Sequence, residues 1–238
     1  MADAPATLAG IRLGVARELY FDRLDSEVDR ITEAALEALS DAGVELVEAD
    51  VPDLARLIGL TTEPIQLYHV MPMLTRYLAD FDTGVTFEEV IEQASVDIRD
   101  TFAKDVLPGG EFVVTEQDFI AARDVHLPAL RETLRDYFGS NHLDAMVFPA
   151  AQIAAPPIGH DAETELNGRT VRFEPIISRN ISPGSTGGLP GLITPANLNS
   201  EGLPVCLELD GPAGSDTRLL AIGRAVENVL GHLPPPRI

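Results

Sequence analysis

The feature that most constrains the fold is a double change of hydrophobic period within the first fifty residues. Ile11 to Val15 is a short apolar run that reads as a strand. From Ser26 onward, Val28, Ile31, Ala34, Ala35, Leu36 and Leu39 recur at helical spacing, and Gly43 ends that helix. Val44 to Val47 then alternates with acidic residues as a second strand. Strands joined by so short a helical crossover pair in parallel, with right-handed geometry, and two of them alone need a wider sheet to join. A chain of 238 residues can bury one substantial core, so a single domain over 1–238 is expected.

The later strands can supply that sheet. Leu143 to Phe148 reads as a strand ending at Pro149, followed by a proline- and glycine-containing link from Pro156 to about Val171. A short run at Ile193 and another at Val205 to Leu209 flank Ala196–Gly202, a segment able to reverse the chain, so antiparallel pairing is expected. The middle, about 52–138, is helical. Thr62 to Leu78 carries Ile65, Tyr68, His69, Met73, Leu74 and Tyr77, with Pro72 placed to bend it. Thr86 with Glu89 reads as a capping box opening a helix to about Ala103. Thr115 with Asp118 starts a long helix toward Phe138 that Pro128 should kink or divide. A last helix opens near Ser215, whose hydroxyl can cap it, and stops at Gly231 and Pro234. The expected architecture is α/β: a mixed β-sheet flanked by helices, its apolar strands buried on both faces.

Charge and cysteine usage exclude several functions. There are 38 acidic against 17 basic residues, a formal net charge of -21, and Lys104 is the only lysine. Such a surface repels nucleic acid and anionic membranes, so neither is an expected partner. Cys206 stands alone in an apolar stretch, which excludes an internal disulfide and predicts a buried structural thiol. The first ten residues show no basic segment and no stretch reaches membrane-spanning length, so a soluble cytoplasmic protein is expected.

The histidines are His69, His126, His142, His160 and His232. None forms an HExxH pair and no cysteine cluster accompanies them, so no metal is expected. His69 lies on the apolar face of its helix and reads as a packed histidine, while His160 beside Asp161 does not make a base with its orienting carboxylate. With neither a GxGxxG turn nor a Walker lysine, no cofactor is expected. Ser182-Pro183-Gly184-Ser185-Thr186-Gly187-Gly188 is the most suggestive string, because glycine turns expose N–H groups that can hold an anion. Ser185 would need a base to become a nucleophile, and nothing nearby in sequence supplies one. A glycine turn leading from loop to strand is the plainer reading.

Longer blocks carry a family resemblance. Arg179-Asn180-Ile181-Ser182-Pro183-Gly184, continued by Gly188-Leu189-Pro190-Gly191-Leu192-Ile193-Thr194-Pro195-Ala196, resembles the late region of amidase-signature enzymes. Gly202-Leu203-Pro204-Val205-Cys206-Leu207-Glu208-Leu209-Asp210-Gly211-Pro212 resembles their terminal block. Leu143 to Pro149 with Ala155 to Gly159, and Leu8 to Val15, resemble two earlier ones. Together the four ordered blocks are most similar to the carboxyl-terminal portion of the mandelamide-hydrolase-like branch.

The resemblance implies part of the amidase-signature α/β/α fold and hydrolysis of aryl or small aliphatic carboxamides to acid and ammonia. It also implies a serine–serine–lysine machinery that precedes this region. Lys104 matches no family lysine motif, so no catalytic residue is carried onto this chain, and the chain alone is expected to be inactive. Asn180 and Ser182 are placed near the active centre. The helical region varies with substrate in that family, which makes it a substrate cover and makes Tyr68, Met71 and Met73 candidates for an apolar acyl-group wall. The implied partners are an amino-terminal amidase portion, or self-association through the incomplete sheet, and a small-molecule amide. A structural or interaction protein that keeps only this half of the fold is the alternative from another class, and a hydrolase centred on Ser185 is a third.

Overall fold

In the computed structural model, which describes residues 7–159 and 162–235, the chain divides into two compact units, 1–54 with 131–238 and 55–130. His160 and Asp161 lie outside the described residues. In chain order the elements are β1 (Arg12–Val15), a kinked turn α1 (Arg17–Tyr20), α2 (Ser26–Asp41), β2 (Glu45–Glu48), α3 (Leu54–Gly59), α4 (Thr62–Asp80), α5 (Phe87–Gln93), α6 (Val96–Asp105) and α7 (Glu116–Ala121). A π-helical turn at Ala122–His126 leads into α8 (Leu127–Ser140). Then follow β3 (Ala145–Pro149), β4 (Glu163–Leu166), β5 (Arg169–Arg172), α9 (Glu174–Ile177), α10 (Ser182–Gly187), β6 (Gly191–Leu198), β7 (Pro204–Asp210) and α11 (Asp216–Leu230).

The larger unit is built on a five-stranded mixed sheet of order β2-β1-β3-β7-β6. β1 pairs in parallel with β2, as the short helical crossover through α2 requires, and also in parallel with β3, while β7 runs antiparallel to both β3 and β6. One face packs on α2 and α11: Leu13, Val15, Ala145, Val147, Leu207 and Leu209 meet Leu36, Leu39, Ile222 and Val226 in one buried cluster. The opposite face carries Gly14, Met146, Phe148, Glu208 and Asp210, since side chains alternate along a strand and paired residues share a face. Tyr137 of α8 lies over Gly14, where a Cβ would overlap its hydroxyl, and Leu134 of α8 meets Gly187 of α10. The result is helix–sheet–helix layering, with β2 and β6 as edges.

Pro195 is tolerated on edge strand β6 beside a register shift between Pro195 and Asn197. The reversal to β7 is held by Asn199, whose Oδ1 accepts from the N–H groups of Glu201 and Leu203. Some details differ from the sequence reading. The link after β3 contains a β4–β5 hairpin turning at Asn167 and Gly168, both at positive φ. Ser215 makes no side-chain cap on α11, and its hydroxyl sits buried without a partner.

The helical unit closes around Phe87, Ile91 and Val106, with Leu67, Val70, Met71, Leu74 and Phe102 packed against them. α4 keeps Pro72 inside it. The capping box is present: Thr86 Oγ1 accepts from Glu89 N–H and Glu89 accepts from Thr86 N–H. The helix it opens ends at Ala94, however, and α6 restarts after Ser95. The disruption expected at Pro128 takes the form of the π turn just before it, where the ring would crowd a regular preceding turn. Thr86→Ala should cost about 1 kcal/mol, the usual loss for a helix cap. Chemical denaturation of the two proteins checks this, and Thr86→Ser should keep most of the stability. Among the described residues no helix is long and apolar enough to cross a membrane.

Candidate functional site

Loops that leave the carboxyl ends of parallel strands are where open α/β sheets place their binding residues. Here those ends belong to β1 and β3, and three side chains knit them together. Asn180 is fully buried, and its Nδ2 donates to the carbonyls of Tyr20 (2.9 Å) and Pro149 (2.7 Å). Gln152, equally buried, donates to the carbonyls of Asp22 (2.8 Å) and Arg23 (3.1 Å). The Arg179 guanidinium donates to the carbonyls of Leu19 and Asp22, and burial holds its pKa below the usual value. The loop so gripped is strained, with Leu19 and Arg23 at positive φ.

Directly after Asn180 the chain enters α10. Ser182 Oγ donates to the Ser178 carbonyl at 2.7 Å. The helix stops in a left-handed turn at Gly188 (φ 78°), whose N–H returns to the Gly184 carbonyl. The glycine string is therefore a short helix with a glycine stop, where the sequence alone suggested an open turn; Pro183 suits its first turn because that position needs no N–H partner. Ser185 is exposed on it, and among the described residues no histidine or lysine is bonded to its hydroxyl.

Beneath α10 lies a feature the sequence reading passed over. Glu208 and Asp210 stand two apart on β7, on the same face, and are 7% and 1% exposed. Their carboxyls lie within hydrogen-bonding reach of each other, and burial is the main cause that pushes Glu208 up to about 8 and Asp210 up to about 7. Glu208 Oε2 and Asp210 Oδ2 are buried with no hydrogen-bond partner. A Cβ at Gly184 would overlap Asp210 Oδ2, and one at Gly191 would come within 2.9 Å of Asp210 Oδ1 and 3.2 Å of Glu208 Oε1. Tyr20, its ring 4.2 Å from Phe148, is fully buried with an unpartnered hydroxyl, and both carboxyls oppose its ionisation. The strand reads Leu207-Glu208-Leu209-Asp210, an alternation that ordinarily marks a solvated face, and this disguised the pair.

The remaining sequence-predicted residues belong to the helical unit. Tyr68 stacks on Phe119 at 4.3 Å with rings 5° from parallel, and His69 meets Phe119 edge-on at 4.6 Å, the packed role read from sequence. Met71 packs against the Phe87 cluster, whereas Met73 is 55% exposed. Asn180 and Ser182 stand together on the larger unit. Cys206 is half-buried rather than enclosed, and desolvation raises its thiol pKa. A shallow groove over α2 and β2 is lined by Arg17, Glu33 and Leu46, but Arg17 is already paired with Glu33 and Glu48.

Comparison with known proteins gives this geometry a setting. The amidase family model matches residues 2–220. An indoleacetamide hydrolase from Rhizobium radiobacter is 37% identical over 227 residues, 95% of this chain and 48% of its own length. A mandelamide hydrolase from Pseudomonas putida is 34% identical over 245 residues, 99% of this chain and 46% of its own. A crystal structure of an amidase superposes with a TM-score of 0.72 at 25% identity, covering 94% of this chain and 46% of that one. The peptide amidase of Stenotrophomonas maltophilia has the same fold, with a TM-score of 0.63 at 20% identity, covering 97% of this chain and 45% of that one. The chain thus spans about half the length of the relatives it matches.

Proposed function

The chain belongs to the amidase family, and on that premise we propose that it forms the carboxyl-terminal portion of an amide hydrolase that cleaves aryl or small aliphatic carboxamides to acid and ammonia. The observation that carries this reading is identity of 34–37% to indoleacetamide and mandelamide hydrolases over nearly the whole chain. In this reading an amino-terminal amidase portion, in the same polypeptide or another, brings the lysine and the two serines. The present portion completes the sheet and holds the acceptor end of the pocket. Asn180 sets the course of the chain at the carboxyl ends of β1 and β3, and Ser182 ties the turn that leads into α10 back to the Ser178 carbonyl. Tyr68, Met71 and Met73 supply apolar surface for the acyl group. Holding an amide in reactive geometry matters because small displacements cost orders of magnitude in rate.

The test is ammonia release from mandelamide, phenylacetamide, indoleacetamide and simple aliphatic amides. Purified alone, the chain should give no turnover; supplied with an amino-terminal amidase portion it should assemble and hydrolyse at least the aryl amides. Ser185→Ala should leave most of that activity intact. Turnover by the chain alone that Ser185→Ala abolishes would overturn the reading in favour of an independent serine hydrolase. A complex inactive on every amide would favour a structural or interaction role for this half of the fold.

A further inference from the structure

Two carboxyls buried side by side cannot both ionise without a cation to offset them. Among the described residues no cation shapes the proton affinity of either Glu208 or Asp210. Their location makes this consequential. Asp210 lies directly under the Cα of Gly184, in the middle of α10, at a separation that leaves no room for a methyl group. Gly191 of β6 closes over both carboxyls from the side. A glycine on each covering element lets the backbone come down onto the pair, so anything that swells or hydrates the pair must move that backbone.

We propose that Glu208 and Asp210 share one proton that seats α10 on the sheet, so that the segment from Asn180 to Gly188 is a pH-dependent element whose hold loosens when the proton leaves. The inference stands on this geometry and does not depend on the amide-hydrolase reading. Every element around the pair bears on it. α10, β6 and β3 present no titratable side chain within their bounds. From the α1 turn comes Tyr20, whose buried hydroxyl has no partner and stays protonated over the relevant range. From α8 comes Tyr137, pushed above the ordinary tyrosine range chiefly by burial and then by Asp50 and Glu48. Arg131 of α8 is occupied at the far end of α10, where its Nε donates to the Gly187 carbonyl at 3.3 Å, while Glu132, Arg135 and Asp136 pair among themselves on the surface. Asp144, just before β3, accepts from Arg12 N–H and pairs with Arg218.

With the proton present, one carboxyl donates to the other and the site is singly charged. When it leaves, two anions face each other in a buried site, and the least costly relief is for α10 to lift and admit water. The titration belongs to the pair rather than to either residue.

The experiment measures amide exchange protection, corrected for intrinsic rates, in the full chain between pH 6 and pH 9. In the wild-type chain the amides of Ser185, Gly188 and Leu189, which bond to the Ile181 and Gly184 carbonyls, should lose protection by about tenfold or more, the signature of local opening. Leu207 and Leu209 in the sheet should not change. Glu208→Gln keeps a donor toward Asp210 but cannot titrate, and should flatten the dependence. Equal loss in both proteins, or no loss in the wild type, overturns the proposal. Should Glu208→Gln fail to fold, carbon-13 titration of the wild-type carboxyls decides it: loss of the pair's last proton between pH 6 and 9 supports the shared proton, and both carboxyls ionised by pH 5 refutes it.

Discussion

Asn180→Ala should destabilise the chain by about 2–4 kcal/mol, because it leaves two buried backbone carbonyls without a donor, each worth roughly 1–3 kcal/mol when orphaned. The carbonyls are those of Tyr20 and Pro149, at 2.9 and 2.7 Å from Nδ2, and the site is fully buried, so solvent cannot replace the amide. Asn180→Asp should do at least as much harm, since it removes both donors and sets an anion against two carbonyl oxygens. Gln152→Ala removes a similar pair of bonds, but their acceptor carbonyls belong to the exposed residues Asp22 and Arg23, which water can reach, so it should cost less. Urea denaturation of the three variants ranks them. In an active assembly Asn180→Ala should also lower kcat/KM without separating the portions, through displaced loops rather than a lost substrate contact. A stability change within 0.5 kcal/mol of wild type, the range of ordinary surface substitutions, would show that the tie does not bear on the fold.

That residue illustrates what the chain discloses before folding. Asn180 stood out through the family resemblance of the string around it, which places it near the active centre. Its two carbonyl partners lie 160 and 31 residues away, and no local pattern announces them. The parallel β1–α2–β2 unit was legible because hydrophobic period is a local property, and the β6–β7 reversal because Asn, Ser and Gly cluster between two apolar runs. The β4–β5 hairpin was legible too and was passed over: Glu163-Thr164-Glu165-Leu166 alternates, and Asn167-Gly168 is the strongest short hairpin signal. Pro156 and Pro157, just upstream, mark a loop and mask the strands that follow it. The carboxyl pair of β7 is the opposite case. Alternation of Leu with Glu and Asp predicts a wet face, and only the descent of α10 onto Gly184 converts it into a buried one.

That burial leads to the second large effect, a stability gain that depends on pH. Glu208 is raised from 4.5 to about 8 and Asp210 from 3.8 to about 7, chiefly by desolvation. Below about pH 4 folded and unfolded chains both hold these protons, and the pair makes no pH-dependent contribution. Between there and about pH 8 the unfolded chain releases protons that the folded chain retains. Stability therefore falls as pH rises through this window and levels off above it. At about 1.4 kcal/mol per pH unit for one proton, retention by Glu208 alone reaches about 4 kcal/mol at pH 8. Glu208→Gln removes that linkage, since an amide is neutral in both states, and it can still donate to the Asp210 carboxylate. The variant should match the wild type near pH 4 and exceed it by about 2–4 kcal/mol at pH 8, the lower figure allowing for imperfect amide packing. The other acidic residues of this strongly anionic chain affect both proteins equally and cancel in the difference. Urea denaturation at pH 4, 6 and 8 reads the effect directly. A constant difference across pH would mean that Glu208 is ionised in the folded chain, and a variant less stable at pH 8 than the wild type would mean that the carboxyl itself is what holds α10 down.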